Sequence, residues 1–123
     1  MIALLRGEVG GEIVRQIVLD ELNDCCAHAV NICEVYYDFH RAGGTATAEA
    51  AIGAVLASGI RVQNDLDPAF WKAAGILKAQ RRRISPADCF AVTLAGRLGG
   101  TLVTVDRHEL EPLSAEINLL FIR

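Results

Sequence analysis

Short apolar runs alternate with helical patterns along this chain, and that order leaves few folds open to it. Gly10-Gly11 precedes a helical pattern in which Ile13, Ile17 and Val14, Val18, followed by Leu22, repeat at intervals of four. Asn23-Asp24 closes that helix. Cys25 to Val30 is short, apolar and partly β-branched, which predicts a buried strand. Asn31 is then expected to cap a helix running to Ala42, ended by Gly43-Gly44. An Ala-rich helix starts at Thr45 or Thr47 and ends at Ser58-Gly59, and Ile60-Arg61-Val62 reads as a second strand. Asp67-Pro68 and Ser85-Pro86 are each a cap residue followed by proline at the first helical position, two strong helix starts. The first of these helices runs out in Arg81-Arg82-Arg83. Gly99-Gly100 stops the second. Thr101 to Val105 is the clearest strand and ends at Asp106, and Leu119 to Ile122 closes the chain. Strands alternating with helices predict an α/β fold with a mostly parallel sheet covered on both faces. In such sheets ligands bind beyond the carboxyl ends of the strands.

With 123 residues, 52% of them hydrophobic and 22% charged, the chain suits a single globular domain over residues 1–123. Its longest apolar runs are too short to span a bilayer. Met1 to Leu5 is apolar but stops at Arg6 with no basic region before it, so a cytoplasmic location is expected. Of the four cysteines, none forms a C-x-x-C pair. Cys25, His28 and Cys33 lack zinc-ligand spacing and a second ligand pair, so the cysteines read as small buried hydrophobes. The net charge of −3 lacks the Lys and Arg excess of many nucleic-acid binders. An anionic polymer would have to be held by a local basic patch or through a metal ion.

Glu34, Asp88 and Asp106 each fall where a helix begins or a strand ends, at the same end of the expected sheet. Each has a local explanation. Glu34 can close a capping box with Asn31, Asp88 can do so with Ser85, and Asp106 can be a turn residue. Acids in a first helical turn also gain roughly 0.3–1 kcal/mol from the helix dipole. Together they point further. Converging carboxylates repel one another unless a cation sits among them, and hard oxygen ligands suit Mg²⁺ or Mn²⁺ rather than zinc. Such an ion activates water and neutralises charge on a phosphodiester.

Three segments carry a resemblance. Asn31-Ile32-Cys33-Glu34-Val35-Tyr36-Tyr37, Ile84-Ser85-Pro86-Ala87-Asp88-Cys89-Phe90-Ala91 and Leu102-Val103-Thr104-Val105-Asp106-Arg107 resemble the later motifs of PIN-domain nucleases, especially the toxins of VapBC-type toxin–antitoxin pairs. The resemblance covers nearly the whole chain in order. It implies a three-layer α/β/α sandwich, RNA cleavage with Mg²⁺ or Mn²⁺, an antitoxin partner and a homodimer. It implies metal-binding and catalytic roles for Glu34, Asp88 and Asp106, with Thr104 supporting the last acid. The family pattern opens with a strand bearing a first Asp. Ile2 to Glu8 resembles only the end of the helix start beyond that strand. The resemblance thus implies either that the chain begins at an internal Met or that the protein lacks that strand and its Asp, in which case the sheet has a gap unless another segment fills it and the site is one acid short.

Arg6 and Arg107 are candidates to steer a phosphate, whereas Arg81-Arg82-Arg83 reads first as a solvated helix end and second as an RNA contact. His28 is expected to be a satisfied core residue and His108 an exposed loop residue. Asp67 reads as a cap, and Glu109 and Glu111 as solvated. Tyr36, Tyr37, Phe39 and Trp71 fit helix packing. A catalytically inactive PIN-like module that keeps the antitoxin interface is the alternative. A receiver-like domain is disfavoured, because paired acids after the first strand and a lysine after the last are both lacking.

Overall fold

The computed structural model describes residues 1–123. The chain divides into two compact units, Met1–Gln63 with Ile122–Arg123, and Asn64–Phe121.

The first unit holds α1 (Ile2–Arg6), α2 (Gly11–Leu19), β1 (Cys26–His28), α3 (Ala29–Ala57) and β2 (Arg61–Gln63). β1 and β2 pair in parallel, with Cys26, Ala27 and His28 opposite Arg61, Val62 and Gln63. Arg61 also makes a two-pronged ion pair to Asp24 at 2.9 and 2.6 Å, just before β1. Val35, Ala48 and Val55 are buried along α3, together with Val14, Ile60 and Ile122.

Two helix boundaries differ from the sequence expectation. α2 stops at Leu19 rather than near Asn23. The Asp20 carboxylate accepts the Leu22 amide at 3.0 Å, and the Asp20 carbonyl accepts the Asn23 amide at 2.9 Å. Asp offers the backbone this local alternative to the helix ladder. It leaves Leu22 94% exposed rather than on the apolar face. α3 begins at Ala29, two residues ahead of the expected Asn31 cap. Its cap is His28, whose Nδ1 accepts the Val30 amide at 3.1 Å. His28 is buried, as expected of a satisfied core residue. The break expected at Gly43-Gly44 is a kink within α3, where Gly44 takes φ 80 and ψ −171. The Tyr36 hydroxyl donates across that kink to Glu49 at 3.1 Å.

The second unit holds α4 (Pro68–Gln80), α5 (Pro86–Leu98), β3 (Thr101–Thr104), α6 (Arg107–Leu110), a 3₁₀ turn (Glu111–Leu113) and β4 (Asn118–Phe121). Both cap-plus-proline starts form as expected. The Asp67 carboxylate accepts the Phe70 amide, and the Ser85 hydroxyl accepts the Asp88 amide. β3 and β4 pair in parallel from Thr101 opposite Asn118 to Thr104 opposite Phe121. Ile84, Cys89, Val92, Leu110 and Leu113 form a buried cluster, with Leu77, Leu102 and Phe121 packed against it. α6 and the turn after it are additional to the elements expected from the sequence, and they supply Leu110 and Leu113 to this core.

Two aromatic residues depart from the packing expected of them. Trp71 and Tyr37 are 48% and 54% exposed, with Lys72 and Arg41 over their respective rings. No helix is long and apolar enough to cross a membrane. Both sheets are parallel and are interleaved with helices, so the fold is the mixed α/β class read from the sequence.

This packing can be tested at two points. Gly10 has φ 88, and a Cβ there would stand 2.5 Å from the Ile122 carbonyl oxygen. Gly10→Ala should lower stability by at least about 1–2 kcal/mol from the left-handed backbone alone, read as a lower urea midpoint; an unchanged midpoint would contradict the packing. Arg97 clasps Asp67 and Asp65, and its guanidinium holds the Asp67 carboxyl far below the usual carboxylate range. A depressed folded-state pKa contributes stability above the unfolded value and loses it as pH falls below about 4. Asp67→Asn should therefore flatten the fall in melting temperature below pH 4, and more clearly at low salt because these side chains are partly exposed.

Candidate functional site

The second unit gathers a connected set of polar groups at the start of α5 and the end of β3. Ser85 is the N-cap of α5, with Pro86 in the first turn and Asp88 after it. The Ser85 hydroxyl accepts the Asp88 amide at 3.1 Å and donates to Asp88 Oδ2 at 2.8 Å. Asp88 is thus pinned by its own cap residue at both its amide and one carboxylate oxygen.

Beyond β3 the Asp106 amide donates to Thr104 Oγ1 at 3.1 Å. Asp106 is more than a turn residue. It is the N-cap of α6, and its Oδ1 accepts the Glu109 amide at 2.9 Å. Glu109 then reaches back, and its Oε2 accepts the Ser85 amide at 3.3 Å. The chain of contacts therefore runs Asp88, Ser85, Glu109, Asp106, Thr104. Glu109 is half-buried and engaged here, which corrects its reading as a solvated residue. The sequence signals only the local half of this, since Asp106-Arg107-His108-Glu109 has the spacing of a helix cap and the third residue whose amide it holds.

Glu34 lies on α3 in the first unit and is half-buried. Because α3 starts at Ala29, no acid occupies its first turn. The capping-box and helix-dipole explanations for Glu34 therefore do not apply. Arg6 lies 2.7 Å from Asp38 and over the Phe39 ring. Arg107 lies over the Phe121 ring, 4.5 Å from its centroid, and 3.8 Å from Glu111. Both arginines thus have partners within their own units. Arg81 pairs with Glu116, while Arg82 and Arg83 are exposed. His108 is exposed, as expected.

Cys89 is buried beside these acids. Burial pushes its thiol pKa up, Lys78 opposes that, and Asp88 and Glu109 add to it. It stays a neutral core thiol rather than a thiolate ligand.

No group of three or more His, Cys, Asp or Glu side chains is gathered closely enough to hold a metal ion. The donor chemistry still fits a hard cation. Asp88 and Asp106 are half-buried, and each has one carboxylate oxygen committed to a protein donor and the other without one. Mg²⁺ is commonly held by one or two carboxylates and keeps several of its waters.

Comparison with known proteins places these residues in context. The family model described as PIN domain matches residues 1–111. No curated protein matches the chain. The matched span includes Glu34, Asp88, Thr104, Asp106 and Glu109.

The cap makes its own prediction. Ser85→Ala removes both hydroxyl contacts to Asp88 and should cost about 1 kcal/mol, the usual value of an N-cap. A urea midpoint unchanged from the parent would show that the cap contributes nothing.

Proposed function

The chain belongs to the PIN-domain family, whose members are generally nucleases, and on that premise we propose that it is a metal-dependent endoribonuclease acting as the toxin of a toxin–antitoxin pair. The observation that carries the reading is the family match combined with the linked pair Asp88 and Asp106 inside it. Their uncommitted oxygens are the groups that would hold Mg²⁺ or Mn²⁺. Glu34, in the first unit, is a candidate ligand through its sequence motif alone. A bound ion of this kind supplies an activated water and offsets charge on the phosphodiester.

The chain's own residues do the rest. Ser85 and Glu109 hold Asp88 and Asp106 in register, and Thr104 fixes the Asp106 backbone. The site is acidic, so RNA phosphates need cations near it. Arg82 and Arg83, three and two residues before the Ser85 cap, are exposed, and Arg107 beside Asp106 is a further candidate; Arg6, in the first unit, is a candidate through the sequence alone. An antitoxin partner, a homodimeric state and a cytoplasmic location belong to the same reading, supported by the motif resemblance.

One observation favours a second reading. The absence of a gathered group of three ligands suits an inactive PIN-like module that keeps a partner-binding surface. Manganese titration separates the two. The nuclease should show saturable Mn²⁺ binding that Asp106→Asn weakens, and the same substitution should abolish RNA cleavage. Equal binding and equal cleavage in parent and variant would remove Asp106 from the site. A parent chain with no saturable Mn²⁺ site would leave the inactive module.

A further inference from the structure

We infer that Glu109 is a positioning residue, whose carboxylate sets the spacing of Asp88 and Asp106 by accepting the backbone amide of Ser85. The inference rests on the metal-site reading above and adds to it a residue with a different task. In a local capping box the third helical residue reaches back to the amide of the cap residue. Here that third residue is Asp88, and its carboxylate is taken up by the Ser85 hydroxyl at 2.8 Å. The Ser85 amide is left to Glu109, which lies 24 positions further on and accepts it at 3.3 Å.

The box is therefore divided between two helices. Ser85 caps α5 and orients Asp88, while Asp106 caps α6 and its Oδ1 holds the Glu109 amide. The Glu109 side chain closes the loop between them. It is half-buried, so the contact is shielded from competing water. Lys78 supports the same turn from α4, its ammonium donating to the carbonyls of Arg82 and Ile84 at 2.7 and 2.8 Å. The turn that carries Ser85 is thus held by a carboxylate on its amide side and a cation on its carbonyl side. Groups that orient metal-binding carboxylates in this way change affinity without touching the ion.

Glutamine keeps an oxygen acceptor at the same reach but carries no charge, which separates positioning from ligation. Glu109→Ala and Glu109→Gln are made in the full chain. Exchange of the Ser85 amide is followed by NMR, and Mn²⁺ binding by titration. Loss of the bond in Glu109→Ala should speed Ser85 exchange by about tenfold or more. Mn²⁺ affinity should fall by about 10- to 100-fold, as for other groups that orient metal ligands. Glu109→Gln should restore both to near the parent values.

Unchanged Ser85 exchange in Glu109→Ala would overturn the inference. So would a Glu109→Gln chain that binds Mn²⁺ as poorly as Glu109→Ala, since charge rather than reach would then matter. If Glu109→Ala does not fold, Glu109→Gln against the parent decides, and loss of Ser85 protection in the folded glutamine chain overturns it. If the parent binds no Mn²⁺, the nuclease reading fails on its own. The Ser85 exchange comparison then still supports the inference if alanine loses protection and glutamine keeps it, and overturns it otherwise.

Discussion

Ser85 is the residue through which the candidate site is assembled. Its hydroxyl both accepts from and donates to Asp88, and its amide is held by Glu109. A proline directly after it restricts the backbone and removes a donor that the first helical turn would leave unpaired. A side chain with one rotatable bond to its oxygen, next to a ring-locked residue, has little freedom left to lose. That rigidity is what a pair of acids needs if they are to offer oxygens in a fixed geometry instead of moving apart under mutual repulsion.

The second unit braces this cap from a distance. Arg97, at the end of α5, clasps Asp65 and Asp67 at the start of α4, and its guanidinium lies over the Phe70 ring. Lys78, near the end of α4, holds the carbonyls of the turn that leads into α5. The α4–α5 hairpin is therefore closed at both ends by cations, and Phe70 of α4 packs against Phe90 of α5 with ring centroids 5.7 Å apart. Each exposed ion pair alone contributes little. Here two of them share Arg97 and also serve the Asp67 helix cap, so a single side chain ties two helix termini together.

The range of each interaction decides how much of it is legible in the sequence. Asp67-Pro68 and Ser85-Pro86 are legible as helix starts because cap and proline act within three residues. Thr101 to Val105 is legible as a strand because it is apolar and β-branched between a double glycine and an acid. The start of α3 is hard to place because an imidazole cap at His28 is not among the common capping side chains, whereas Asn31 is. The end of α2 is easily overrun because the Asp20 turn competes with a helical apolar pattern that still looks intact at Leu22. Glu109 is hidden for a different reason. Its amide is held locally by Asp106, but its carboxylate acts on a residue 24 positions away, and no local pattern reports that.

Site-resolved Mn²⁺ broadening in the NMR spectrum of the parent chain tests the central claim most directly. At Mn²⁺ well below one equivalent, the amide signals of Asp88 and Asp106 and of their neighbours Ser85 and Glu109 should disappear first. Broadening centred elsewhere, or spread evenly over exposed acids such as Glu12 and Glu111, would contradict the assignment of this node as the metal-binding part of the molecule.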